Sequence, residues 1–177
     1  MVPTEFWEQG YQLFRDSNEI FPATFIAGDI FDPSFLNDKL GQIGPNSEIP
    51  DLSCLTNLTP LVGRLSAIHT SSLFHLFDEE QQAELARKVA SLLSSEPGSI
   101  IFGIHAGAGE KAHKKSAITK RTMFYHSPES WVDLWENDIF KGERVQARAT
   151  LNEVSLPEIA LVTGEKWYML AWSVRRL

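Results

Sequence analysis

Five histidines, one cysteine and a glycine-rich hexapeptide supply most of the reactive side-chain chemistry in this 177-residue chain. Two of the histidines lie in one run, Leu65-Ser66-Ala67-Ile68-His69-Thr70-Ser71-Ser72-Leu73-Phe74-His75-Leu76-Phe77-Asp78, which reads as a buried strand entering a ligand-facing loop. His75 stands just before a helix cap and is the candidate proton acceptor, since imidazole titrates near neutrality and needs only to reach the proton it removes. A histidine in an aromatic turn serves equally well as a hydrogen-bonded structural residue. His69 and His105 fall at strand ends, where packing accounts for them. His113 and His126 have no partner at metal-ligand spacing, and the sequence contains neither His-x-x-x-His nor a cysteine-containing ligand pattern, so no metal is expected. Cys54, the single cysteine, excludes an internal disulfide and is expected to be a buried or half-buried thiol.

The hexapeptide Gly107-Ala108-Gly109-Glu110-Lys111-Ala112 follows an apolar strand and formally satisfies Gly-x-Gly-x-x-Ala, a dinucleotide fingerprint. That fingerprint must open a helix whose amino end meets a pyrophosphate. Here His113-Lys114-Lys115-Ser116 follows, without an apolar helical stripe, and the phosphate-loop pattern is absent. The stretch from Lys111 to Arg121, with Lys111, Lys114, Lys115, Lys120 and Arg121, is therefore expected to be a mobile, solvated basic loop, able to steer an anionic small molecule toward a ligand site. The whole chain carries a net charge of −7, which opposes a general nucleic-acid role because phosphate binding rests on Lys and Arg. No apolar run approaches the roughly 20 residues that cross a bilayer, and the start lacks signal-peptide features. A cytoplasmic protein without membrane or nucleic-acid partners is expected.

The elements that must position these residues follow from periodicity. Glu5 to Phe14 reads as a helix with Phe6, Gly10, Leu13 and Phe14 near one side, and Trp7 and Tyr11 beside them. Thr24 to Ile30 reads as an apolar strand ending in an acidic turn at Asp29 and Asp32. Gly41 to Pro60, rich in Gly, Pro, Asn and Ser, reads as a long surface connection. The strands at Leu65 to Thr70 and Ser99 to His105 flank a helix from Asp78 to Ser95, where Asp78 and Gln81 form a capping box and Pro97-Gly98 stops the run. A helix between two short apolar strands predicts a parallel crossover. Ser127-Pro128-Glu129 starts another helix, carrying Trp131, Leu134 and Trp135 on one face. Val145 to Leu151 and Lys166 to Val174 close the chain as strands, the latter apolar on both faces. The aromatic set Trp131, Trp135, Phe140, Trp167 and Trp172 is expected in the core. With 43% hydrophobic residues, one globular domain spanning 1–177 is the expectation.

These segments together, from Glu5-Phe6-Trp7 through Thr24 to Asp32 and Leu65 to His75 to Trp172-Ser173-Val174, resemble a class I S-adenosylmethionine (SAM) methyltransferase, most closely the fungal small-molecule enzymes of terpenoid and polyketide pathways. The resemblance implies an α/β, Rossmann-like, mostly parallel sheet with flanking helices and an antiparallel C-terminal strand. It implies that Asp29 and Ile30 lie against the adenine, that Thr70 and Ser71 line the methionine end of SAM, and that His75 stands where cofactor and substrate meet. Ligands in doubly wound sheets bind outside the carboxyl ends of the strands, which brings the Asp29 turn and the Thr70–His75 loop to one rim. A small-molecule secondary metabolite methylated on oxygen or carboxylate is the implied substrate.

The resemblance also implies a fold truncated on its N-terminal side, without the family's first strand and its glycine-rich SAM loop and without the second strand and its ribose-binding acid. The strands at Thr24 and Leu65 would then each lack a neighbour, and uncovered edges are costly. Three remedies are expected: a rearranged strand order, pairing with a second copy as a homodimer, or a longer parent chain. The alternative function is a methyltransferase fold that works without cofactor, as a small-molecule binder or cyclase-like enzyme.

Overall fold

A computed structural model describes residues 4–17, 19–20, 23–39, 50–115, 121–154 and 166–177. The chain divides into two compact units, Met1–Gly63 and Arg64–Leu177, and each is described by itself.

In the first unit, helix α1 spans Thr4–Phe14. Trp7 meets Tyr11 edge-on at 5.6 Å and stacks on Phe25 at 5.1 Å. Phe6, Leu13 and Phe14 remain exposed. The helix ends at Arg15, whose φ of 52° turns the backbone left-handed, while the Asp16 amide donates to the Tyr11 carbonyl. The expected strand from Thr24 to Ile30 does not form. A strand exists only through a ladder, and none of its residues is paired in either sheet. Its apolar side chains are used locally: Phe25 covers Trp7, and the Phe35 ring packs so tightly on Gly28 that a Cβ there would lie 2.0 Å from it. The acidic turn does form. Asp29 Oδ1 accepts from the Phe31 amide, Asp32 Oδ1 from the Ser34 amide, and the Asp32 amide donates to the Asp29 carbonyl.

Residues 41–49 of the expected surface connection lie outside the described residues. The rest carries two short 3₁₀ turns, Leu52–Cys54 and Thr59–Leu61. The turn at Leu52–Cys54 corrects the expectation for Cys54, which is exposed: the Asp51 cap holds Ser53, and the Cys54 thiol reaches back to Asp51 Oδ2 at 3.5 Å.

The second unit is a four-stranded sheet with helices and a separate hairpin. Its strands are β1 (Ala67–Ser71), β2 (Ile100–Ala106), β5 (Val145–Val154) and β6 (Trp167–Arg176), in the order β1-β2-β6-β5. β1 and β2 pair in parallel, with Thr70 opposite Gly103, and β6 is antiparallel to both β2 and β5. Three strands therefore run one way and the C-terminal strand alone runs against them, inserted between β2 and β5. This is the mostly parallel α/β sheet with an antiparallel C-terminal strand that the resemblance implied, although among the described residues parallel hydrogen-bonded pairing is confined to β1 and β2. Among the described residues β1 is an edge strand, with β2 its one neighbour.

Helix α2, Glu79–Leu92, makes the β1-to-β2 crossover. It starts as the sequence dictates: Asp78 accepts from the Gln81 amide at 2.9 Å, and the Gln81 side chain returns to the Asp78 amide. Leu85, Ala86, Val89 and Leu92 form its buried stripe. Buried Gln82 belongs to the same face because its amide donates to the carbonyls of Phe77, 2.9 Å, and Phe124, 3.1 Å.

The basic stretch forms a hairpin rather than a loop, with β3 (Ala112–Lys115) antiparallel to β4 (Thr122–Tyr125). Phe124, buried, anchors β4 on the core and supplies the apolar contact that a solvated loop lacks. Residues 116–120 of the expected loop lie outside the described residues. Helix α3, Pro128–Asp133, starts at a Ser127 capping box and passes into a π-helical turn, Leu134–Ile139. That turn guards the outer sheet edge, where Glu136 Oε1 accepts from the Ala147 amide of β5 at 2.8 Å. In β6, Leu170, Trp172, Val174 and Arg176 are buried, while the alternate residues Trp167, Met169, Ala171 and Ser173 are half-buried. Arg176 lies over the Phe140 ring and pairs with Glu143.

Candidate functional site

The carboxyl ends of β1 and β2 meet around a buried aromatic cluster. After Ser71, the chain turns through Ser72, whose φ is 52° and whose amide donates to the Ile104 carbonyl at 2.8 Å. A left-handed serine costs conformational energy that the surrounding contacts must offset, and such residues gather at binding sites. The turn drives Phe74 into the core, where it is fully buried. Its ring lies 4.9 Å from Trp131, 5.7 Å from Trp172 and 5.6 Å from His105.

His105, on β2, is 1% exposed. The Trp172 indole N–H donates to its Nδ1 at 3.0 Å, so the neutral ring carries its proton on Nε2. That nitrogen has no protein partner among the described residues. Burial, reinforced by His75 and His126, drives the His105 pKa down to about 3. His126, 2.9 Å from Ser130 Oγ, falls to about 4, through burial and then Lys111, with Glu79 opposing. Thus the cluster contains two imidazoles that stay neutral throughout the physiological range.

His75 sits in the 3₁₀ turn Phe74–Leu76, half-buried, and burial lowers its pKa as well. Its Nδ1 is buried without a protein partner among the described residues, as is Thr70 Oγ1. Buried polar atoms of this kind take hydrogen bonds from a ligand or from ordered water. His75 also borders a cleft of about 180 Å³ shared with Asp78, His113, Thr122 and Phe124 of the neighbouring turn and hairpin. A neutral imidazole with an open approach can accept a proton.

The second unit therefore brings together Thr70, Ser71 and His75 on one strand end and the turn after it. Thr70 is half-buried and Ser71 exposed. Asp29, exposed, and Ile30, half-buried, belong to the first unit. One oxygen of Asp29 is engaged by the Phe31 amide, which leaves its second oxygen for a donor. His105, which the sequence leaves to packing, is indeed buried on β2 and joins the aromatic cluster. The signal was a histidine inside the apolar run Ile100 to Ala106, where burial is the rule and a buried ring must find a donor or acceptor.

The Gly107–Ala112 hexapeptide runs into strand β3, not a helix, and so cannot present a helix amino end to a pyrophosphate. Gly107 instead serves packing. A Cβ there would lie 2.8 Å from Leu170 Cβ and 3.3 Å from the His126 carbonyl. No group of three or more His, Cys, Asp or Glu among the described residues is arranged to hold a metal, and no described helix is long and apolar enough to cross a membrane.

Comparison with known proteins finds similarity to fungal methyltransferases. The chain is 35% identical over 131 residues to O-methyltransferase phiE of a fungal species (strain ATCC 74256), covering 74% of this chain and 37% of the relative. It is 31% identical over 127 residues to the asnovolin E/chermesin D methyltransferase nvfJ of Aspergillus novofumigatus, covering 72% and 38%. It is 29% identical over 132 residues to methyltransferase adrK of Penicillium roqueforti, covering 75% and 40%. The chain spans about two fifths of the length of these relatives. No family model matches it.

Proposed function

Starting from a chain homologous to fungal methyltransferases, we propose that in its complete or assembled form it transfers a methyl group from SAM to oxygen, as a hydroxyl or a carboxylate, of a small-molecule secondary metabolite. The observation that carries this reading is the similarity over nearly three quarters of the chain to a relative named as an O-methyltransferase. The unpartnered Thr70 Oγ1 supports it, because a buried hydroxyl at a strand's carboxyl end suits the polar methionine end of SAM. When bound, SAM supplies an electrophilic methyl group on a sulfonium.

The residues present fit such a ligand in part. Asp29 would accept from the adenine amine with its second oxygen, and Ile30 would lie against the ring. Thr70 and Ser71 would hold the methionine end. His75 would take the proton from a hydroxyl acceptor, its burial keeping it neutral and ready at pH 7. A carboxylate acceptor carries no proton to lose, so for that class His75 would only position the substrate.

A second reading is that of a small-molecule binder or cyclase-like protein of methyltransferase ancestry that works without cofactor. The observation favouring it is the enclosed aromatic cluster around Phe74 and His105, a water-excluding interior that requires no SAM. Calorimetric titration with SAM and S-adenosylhomocysteine separates the two. Saturable binding supports the transferase, and absence of binding by the folded protein supports the binder.

A further inference from the structure

A second cleft, of about 400 Å³, opens beyond the carboxyl end of β2, away from the Thr70–His75 turn in the chain. Its size falls within that of small-molecule sites, about 300–1,000 Å³. The floor is the Gly107-Ala108-Gly109 turn, held in place where the Gly107 amide donates to the Tyr168 carbonyl and the Ala108 amide to the His126 carbonyl. Tyr125 at the end of β4, and Trp167 and Tyr168 at the start of β6, contribute aromatic walls.

Charge distinguishes this cleft. Lys114, Lys115 and Lys166 all line it and, among the described residues, no acidic residue does, in a chain whose net charge is −7. Lys166 is tied to Glu153 at 3.0 Å, so its charge is partly neutralised. Lys111, outside the lining, is engaged by Glu79. Lys114 and Lys115 form no ion pair with a carboxylate among the described residues. Lys114 and Lys115 pair with Met123 and Thr122 at the distal end of β3–β4, while Phe124 pins the other end to the core.

We propose that this cleft is a binding site for an anionic, ring-bearing small molecule, its rings lying against Tyr125, Trp167 and Tyr168 and its anionic group held by Lys114 and Lys115. Ammonium groups attract an anion electrostatically, and aromatic faces supply apolar area. The inference goes beyond the methyl-transfer reading and does not depend on SAM.

Gly109 provides a means of blocking the site. It lines the cleft and is exposed, and a Cβ built on it meets nothing within 4 Å, so a bulky side chain there crowds the mouth of the cleft without clashing with the core. The test is a ligand-observed NMR titration of the full chain with 1-naphthoate and its neutral counterpart 1-naphthamide, with melting temperatures recorded for every variant. The expected result is saturable naphthoate binding, about tenfold tighter than naphthamide. Lys114→Gln/Lys115→Gln should loosen naphthoate by about tenfold while leaving naphthamide unchanged. Gly109→Phe should abolish both while melting at the wild-type temperature. Equal binding of the two probes, no naphthoate binding at millimolar concentration, or unchanged naphthoate binding in the folded variants would each overturn the inference. SAM titration is a separate readout, so failure there overturns the transferase reading and leaves this site standing.

Discussion

Lowering the pH should unfold this protein by charging the aromatic cluster. In the folded chain His105 titrates at about 3 and His126 at about 4, chiefly through burial, against an ordinary value of 6.5. The unfolded chain therefore binds more protons than the folded one between these values. Stability is complete above pH 6.5 and is lost as pH falls from there toward 4 and then 3. Each histidine contributes a slope of about 1.4 kcal/mol per pH unit at most. Relaxation around the charged rings reduces this, so the two together should remove about 2–4 kcal/mol between pH 6.5 and pH 5. That is a large share of the roughly 5–15 kcal/mol that holds a domain together. Carboxylates contribute little to this window, because Asp51 and Glu129, whose pKa values are lowered by hydrogen bonds, lose their charge only at lower pH.

Urea denaturation followed by tryptophan fluorescence at pH 7.5, 6.5, 5.5 and 5.0 reads the effect as a falling midpoint. The control is His105→Gln, which offers the Trp172 indole an acceptor without a titrating group and should reduce the slope by about half. A midpoint flat from pH 7.5 to 5.0, or an identical slope in wild type and His105→Gln, would refute the account of the cluster.

Other consequences concern packing and capping. Gly103→Ala places a Cβ 1.9 Å from the Thr70 carbonyl oxygen and should cost about 3 kcal/mol or more by parting β1 from β2, whereas Gly109→Ala should lie within about 0.5 kcal/mol of wild type. Paired thermal melts check both. Gln82→Leu removes the two hydrogen bonds that its amide donates to the Phe77 and Phe124 carbonyls and should cost about 1–3 kcal/mol in chemical denaturation. Asp78→Ala removes the α2 cap and should cost about 1 kcal/mol, with faster amide exchange confined to the first turn of the helix.

Helix α2 and the strands β1, β2, β5 and β6 were legible because their signals are local: a capping box, an apolar stripe, short β-branched runs. The order of the sheet was less accessible. Placing β6 between β2 and β5 depends on which edges attract one another, and a strand apolar on both faces shows only that it is interior. Thr24 to Ile30 misled for a related reason. Its apolar composition suits a strand, but a strand needs a ladder partner, and here Trp7 and Phe35 take up those side chains instead. The basic stretch misled in the opposite sense, since charge suggested a loop while Phe124 and its register with His113 made a hairpin. That Thr70 and Ser71 end a strand and that His75 stands in the turn after it was readable from the apolar run that leads into them. The hydrogen bond from Trp172 to His105 joins residues 67 positions apart, and no local pattern announces it. The lysine cleft likewise combines three distant segments, β2, the hairpin and β6.

The transferase reading requires this chain to bind SAM, with Thr70 and Ser71 at the end of β1 holding its methionine end. Calorimetric titration of S-adenosylhomocysteine into wild type, Ser71→Ala and Thr70→Val tests this most directly. One-to-one saturable binding by wild type, weakened in both variants while their melting temperatures hold, is the predicted result. Absence of saturation in the folded wild-type chain, or binding indifferent to both substitutions, would contradict the claim.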